Sequence, residues 1–418
     1  MRSHWLKIAL LNFLIAASIG ALLRFAFVEE VGWLKFRNFM HAHSHVAMLG
    51  WLYLAFYSFL IGIFLRPEQQ AARFYNRLFW VTQLSVIGML FTFPFFGYQG
   101  PSGAVSFLHV VCSFLFVWRL WKDLDKVGEG HLFSVKLVKT ALLFMMLSAV
   151  GIFSLMVFGM GHFRHSGLFY MSVQFFLHFQ FNGWFLFALL GLFFKMMEDQ
   201  GLKCPPGQLK AFFWLLVLAG FLTYALAVAW SEPHIGVFAV NSVGVLVQLA
   251  ALVVLLRLLW PKRREIMAPF DGWVKALLLI ALVSLAVKML VQTAVALPFV
   301  ATAAYTIRNY VIGFFHLILL GMTTSFLLGF GIRENVFSDR SLFAKLGLGC
   351  WVVGFLGSEA LLFLQGTLLW AAMGFLPYYY EMLFGISVLI PVGVGLFLMG
   401  QLSTHTPPTP KTQIPPLP

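Results

Sequence analysis

Three histidines in this chain are each followed five residues later by glycine and then by a large apolar residue. They are His45 with Gly50 and Trp51, His178 with Gly183 and Trp184, and His316 with Gly321 and Met322. They stand 133 and 138 residues apart in a chain of 418, one in each third. The first and third copies share more, because Arg37-Asn38-Phe39 and Arg308-Asn309-Tyr310 each begin eight residues before their histidine. A fixed long period means repeated structural units. Each histidine lies in an apolar stretch, where a neutral imidazole must be hydrogen-bonded or coordinated. Imidazole suits haem iron and copper. The expected chemistry is a haem or metal site built by pseudo-threefold symmetry. For any single copy, a histidine bonded to a neighbouring helix is the competing reading.

The first copy is the richest, since His41, His43 and His45 alternate there. At about 100° per residue, His41 and His45 share a helix face, and His43 points about 200° away. One helix can therefore serve a site on each of its two sides. His109 and His234 are further candidate metal ligands. The glycine of each copy lets a neighbouring helix, or a flat macrocycle, approach the backbone closely. Arg37 and Arg308 are placed to pair with haem propionates, or else to snorkel to the headgroups. Lys288 and Glu359 are ionisable groups deep in apolar runs and so functional candidates, able to pair with each other, move protons or fix a bundle. Arg24, near the end of its run, can snorkel.

The elements that position these residues follow from composition. With 61% hydrophobic and 10% charged residues, and 48 phenylalanines, the chain has no room for a soluble domain. Apolar runs of about 20 residues, enough to cross a bilayer, recur along its length. Twelve spans are expected, near 6–28, 38–65, 74–96, 102–121, 136–160, 168–198, 208–230, 236–259, 271–297, 307–333, 342–367 and 379–402. The first is read as a span and not as a removed signal peptide. Of 28 Lys and Arg, 22 fall at the termini and in the loops after even-numbered spans. That bias puts both termini in the cytoplasm of a bacterial inner membrane, and it accounts for the net charge of +13 without nucleic acid. Spans 2, 6 and 10 then enter from the outer side, with each signature histidine roughly 12–15 Å deep. His162 and His165 belong to the same outer side. The fold expected is all-α, a single transmembrane domain over 1–402 in three four-helix arcs, about 1–135, 136–270 and 271–402. A proline-rich cytoplasmic tail, 403–418, is expected to be disordered. Three scattered cysteines form no C-x-x-C pair, so any haem is held noncovalently.

Twelve spans in three arcs, with histidines on spans 2, 6 and 10, resemble subunit I of the haem–copper oxidase superfamily, which includes cbb3-type oxidases and nitric oxide reductases. The run from His178 to Gly183 is similar to the nitric oxide reductase sequence H-L-W-V-E-G, with Asn182 in place of the glutamate. The spacing from His45 to Pro67 and Glu68 also resembles that family. Phe314-Phe315-His316 looks like its H-x-H with the first histidine gone. His43 to Trp51 looks like the cbb3 sequence H-V-H-S-G-A-L-G-W, found there on span 10, which leaves open haems on both sides of span 2. The segment is also close to H-A-H-E-M-L-F-G-F of NnrS-type haem- and copper-containing membrane proteins. Span 7 has no His-His pair, and no tyrosine follows His178 by four residues, so a complete binuclear oxygen-reducing centre is not expected.

The resemblance implies a haem b, one or two per chain, held by His45 and His316 with His43, Arg37 and Arg308 nearby. It also implies a reduced second site for copper or non-haem iron at His178, with His43, His41, His109 or His234. His178 and Asn182 are the expected catalytic pair. The expected function is electron transfer or NO/O2 chemistry as an oxidoreductase of the respiratory chain, with a cytochrome c or quinol donor and a partner subunit. The alternatives are an NnrS-like protein protecting against nitric oxide and, in another class, a proton-coupled twelve-span transporter using Lys288 and Glu359.

Overall fold

Long apolar runs become helices in a bilayer because the backbone finds no water there and must bond to itself. The computed structural model of the chain describes residues 2–128, 132–158, 166–270 and 272–403, and among them there is no strand. Twelve helices are long and apolar enough to cross a membrane: Ser3–Phe25, Phe36–Phe64, Arg73–Phe96, Pro101–Val127, Phe133–Phe158, Gly167–Asp199, Pro206–Ser231, Ile235–Leu259, Gly272–Ala294, Arg308–Arg333, Leu342–Trp370 and Tyr379–Leu402. The protein is an all-α, multi-pass membrane protein. Each expected span has its counterpart, displaced by a few residues at its ends. His162, His165 and the tail beyond Ser403 lie outside the described residues.

Helix starts follow local chemistry. Pro101 and Pro206 occupy first-turn positions, where a missing N–H is harmless. The hydroxyls of Ser166 and Ser341 accept from the Phe169 and Ala344 amides at 3.3 and 3.1 Å, capping spans 6 and 11.

The histidine-bearing spans are the innermost. In spans 2, 6 and 10, 78, 78 and 61% of the most apolar stretch is buried, against 28–44% in the other nine. Successive spans pack on each other around them, and span 12 returns to span 1. The inner three are tied together directly. Trp51 Nε1 donates to Thr324 Oγ1 at 2.9 Å, joining spans 2 and 10. The Phe56 and Phe185 rings stack at 5.8 Å between spans 2 and 6, and Phe181 meets Phe315 at 5.4 Å between spans 6 and 10.

Each inner span carries a wide π-helical segment at the same place: Val46–Tyr53, Phe179–Phe185 and Leu317–Thr324. Each begins on the residue after its signature histidine. Such turns are rare and cluster at functional sites. Their widened backbone is held by polar side chains. The hydroxyls of Thr323 and Thr324 donate five residues back, to the Ile318 and Leu319 carbonyls at 2.8 and 2.7 Å. Asn12 Nδ2 in span 1 donates to Gly50 O at 2.9 Å and to Gln83 Oε1 at 2.8 Å, and Gln83 Nε2 returns a bond to Asn12 Oδ1.

The signature glycines sit inside these segments, and helix packing explains them. A Cβ on Gly50 would lie 2.8 Å from Val86 Cγ1 and 3.0 Å from Asn12 Cβ. On Gly183 it would lie 2.5 Å from Phe144 Cβ, and on Gly321 2.6 Å from both Phe355 Cζ and Ser284 Oγ. Protein atoms already fill the space that a macrocycle would have used.

Candidate functional site

Span 2 presents its histidines to two sides, as its 100° spacing requires. His43 faces span 1: its Nδ1 lies 2.8 Å from Ala16 O, and the ring rests on Gly20, where a Cβ would come within 2.8 Å of His43 Cε1. His45 faces span 3 and the loop after it, with its ring 4.5 Å from that of Phe93 and its Nε2 3.0 Å from the Tyr98 hydroxyl.

On the first side, His43 shares a cluster with His316. The charge of Arg24 and the ring of His43 both act electrostatically on His316. His316 Nδ1 lies 3.7 Å from Glu359 Oε1, and both Glu359 oxygens are buried without a hydrogen bond. Arg24 lies close enough to Glu359, Tyr379 and Arg308 to interact with each. Asn309 Nδ2 donates to the Tyr379 hydroxyl at 2.6 Å. Arg308 itself is exposed and lies over the Phe27 and Phe36 rings at 5.8 and 5.7 Å. The expected opposition of His45 and His316 is therefore corrected. His43 is the span-2 imidazole that belongs with His316, because only its face turns toward span 1.

Tautomers follow from the partners. A carbonyl oxygen only accepts, so His43 carries its hydrogen on Nδ1 toward Ala16 O and keeps a lone pair on Nε2. A histidine whose Nδ1–H is fixed by a carbonyl is oriented to use Nε2 as a ligand. His316 has Glu359 beside Nδ1 at 3.7 Å, beyond hydrogen-bond length, so that contact does not fix its tautomer. Its side chain remains 26% exposed although it lies within a span, so protein atoms do not close over the ring. His43 and His316 are thus the imidazoles that would hold a haem iron.

On the second side, His45 Nδ1 donates to His41 O at 2.9 Å. The His41 ring packs edge-on against Tyr98 at 4.5 Å, at the rim. Arg37 is exposed and its charge reaches His41. His109, 3% exposed, has Nδ1 3.1 Å from Ser85 Oγ and its Nε2 buried without a partner.

The middle repeat differs. His178 Nε2 donates to Gly220 O at 2.7 Å, and Asn182 Nδ2 lies 3.3 Å from His178 Nδ1. Lys288 Nζ donates to Asn182 Oδ1 at 2.5 Å. The bonds run one way, from Lys288 through Asn182 and His178 to the span-7 backbone, and use both ring nitrogens. The expected metal and catalytic roles of His178 and Asn182 are corrected on that ground. Lys288 and Glu359 do not pair, since each has partners in a different repeat. His234 is exposed and caps span 8, accepting from the Gly236 amide at 3.1 Å. Among the described residues, no three of His, Cys, Asp and Glu come together to hold a metal ion.

Arg24, Tyr98 and Ser85 were not among the residues singled out from sequence for the site. An arginine within a span, and a tyrosine between Gly97 and Gly100, were the available signals. Compared with known proteins, the chain matches no family model and no curated protein.

Proposed function

We propose that this protein is a membrane haemoprotein that transfers electrons, with a haem b held between His43 and His316. The observation that carries this reading is the pair of in-span imidazoles, His43 with Nδ1 2.8 Å from Ala16 O and His316 with Nδ1 3.7 Å from Glu359 Oε1, whose Nε2 atoms have no hydrogen-bond partner among the described residues. When bound, haem iron supplies one-electron chemistry. The chain's own residues do the rest. Ala16 O fixes the tautomer and tilt of His43, Gly20 gives its ring room, and Glu359 is placed to strengthen His316 as a donor. Arg24 and Arg308 offer guanidinium partners for propionates. His43 and His316 would both hold the iron, and a haem held by two histidines would supply electron transfer.

The charge bias of the loops supports cytoplasmic termini, and the resemblance to respiratory oxidases supports a bacterial inner membrane. An external cytochrome c or a quinol would then be the donor. Transport coupled through Lys288 and Glu359 loses its main support, because the two do not meet.

The test is a reduced-minus-oxidised spectrum of the protein purified from a haem-replete host. Sharp α and Soret bands are expected in the wild type and in His45→Ala, and their loss or shift in His43→Ala and His316→Ala. A colourless wild type, or bands insensitive to both substitutions, would overturn the proposal.

A further inference from the structure

We propose that the lipid-facing groove between spans 3 and 4 holds an anionic phospholipid through Arg73, Arg77 and Lys122, in the leaflet on the N-terminal side of the membrane. Spans 3 and 4 run antiparallel. They are tied along their buried faces by the Ser85–His109 and Tyr75–Asp123 hydrogen bonds at 3.1 and 2.9 Å. Each also presents an exposed stripe to the bilayer. On span 3 it is Arg77, Val81 and Leu84, and on span 4 it is Leu115, Trp118 and Lys122. Steps of three and four residues keep each set on one helix face. Because the helices are antiparallel, both stripes reach the same side of the membrane with a cation, and apolar side chains lead from it toward the midplane.

Printed contacts run across the groove at the charged end. The Lys122 ammonium stands 4.4 Å over the Trp118 ring, and that ring meets Phe74 of span 3 at 6.3 Å. Phe74 precedes Arg77 by three residues and follows Arg73 directly, so both guanidinium groups flank the ring that Trp118 touches. Tryptophan favours the headgroup level of a bilayer, which puts the three cations at the depth of lipid phosphates.

Protein acids do not balance these charges. Asp123 is engaged by Arg119 at 2.8 Å, with Lys126 at 4.0 Å, and Asp125 by Lys139 at 2.5 Å. The loop before span 3 adds one charge of each sign, Arg66 and Glu68. Among the described residues, Arg73, Arg77 and Lys122 form no ion pair. A phosphodiester supplies the negative charge they lack, and guanidinium groups pair with it bidentately. Its acyl chains would lie on Val81, Leu84 and Leu115, which are open to hydrocarbon. Basic recesses between membrane helices bind anionic headgroups in this way.

The test titrates the full-length protein in detergent with phosphatidylglycerol and with phosphatidylcholine of the same chains, reading bound lipid by native mass spectrometry. The wild type is expected to bind the anionic lipid at least tenfold more tightly. A cation at a membrane surface is worth about fivefold in binding, so Arg77→Gln combined with Lys122→Gln should weaken the anionic adduct roughly 25-fold. Both side chains are exposed, so the buried seam stays intact. Lys345→Gln, which removes an exposed cation at the same side of span 11, should leave binding unchanged. Equal binding of the two lipids by the wild type would overturn the proposal. So would a double variant that keeps the preference, or a Lys345→Gln protein that loses as much.

Discussion

The middle repeat and the two flanking it carry the same histidine–glycine signature, yet their imidazoles live differently. His178 spends both ring nitrogens on protein, one on Gly220 O and one on Asn182. His45 likewise uses both, on His41 O and the Tyr98 hydroxyl, whereas His316 has no hydrogen bond among the described residues and only Glu359 3.7 Å from its Nδ1. What all three copies share is the π-helical segment after the histidine and the tightly packed glycine within it. The signature therefore encodes a backbone device, and the chemistry is added by neighbours that differ between repeats. In the centre these are a carbonyl and an amide that takes an ammonium. In the first repeat they are a carbonyl and a tyrosine hydroxyl, and in the third a carboxylate.

Substitutions can break or sharpen this contrast. The largest difference is expected between His316→Ala, which should abolish the native haem bands, and His178→Ala, which should leave them in place. The second change should cost stability instead, about 1–3 kcal/mol for each buried group left unpaired, measured by thermal unfolding in detergent. Next come the glycines. Gly183→Ala drives a Cβ against Phe144 Cβ, an atom fixed to its own backbone, and should cost about 1–3 kcal/mol. Gly50→Ala meets a rotatable Val86 methyl at 2.8 Å and Asn12 Cβ only at 3.0 Å, against 2.5 Å at Gly183, and should cost less in the same assay. Lys288→Met leaves Asn182 Oδ1 without its donor, for about 1–3 kcal/mol, whereas Lys288→Gln should recover most of it. The smallest effect, about 0.5–1.5 kcal/mol, is expected for Trp51→Phe, which removes one hydrogen bond between spans 2 and 10.

Apolar run length made all twelve spans legible, because the bilayer sets their minimum length. The two-sidedness of span 2 was legible too, from three histidines two residues apart. Which side faced His316 was not, since that depends on where span 1 packs. The proximity of Glu359 to His316 joins residues 43 apart on different spans, and no periodicity carries such information. Arg24 read as an interfacial residue because it stands near a span end, though in the folded protein it is close to Glu359. The π segments gave no signal, since stretches that are mostly apolar show no clear phase from which a wider turn could be recognised.

That wider turn has a consequence for how these helices tolerate change in length. A π segment accommodates surplus backbone, so it sets the angular phase between the two halves of its span. Deleting one residue between Val46 and Tyr53 would let span 2 tighten into an ordinary α-helix with its two halves in phase; tightened with every residue kept, one half would swing by about 100° against the other. The span would still cross the bilayer and still bury its apolar face. Yet either the imidazoles or Trp51 would turn away from their present neighbours. Aim, in this helix, is stored in a single spare residue.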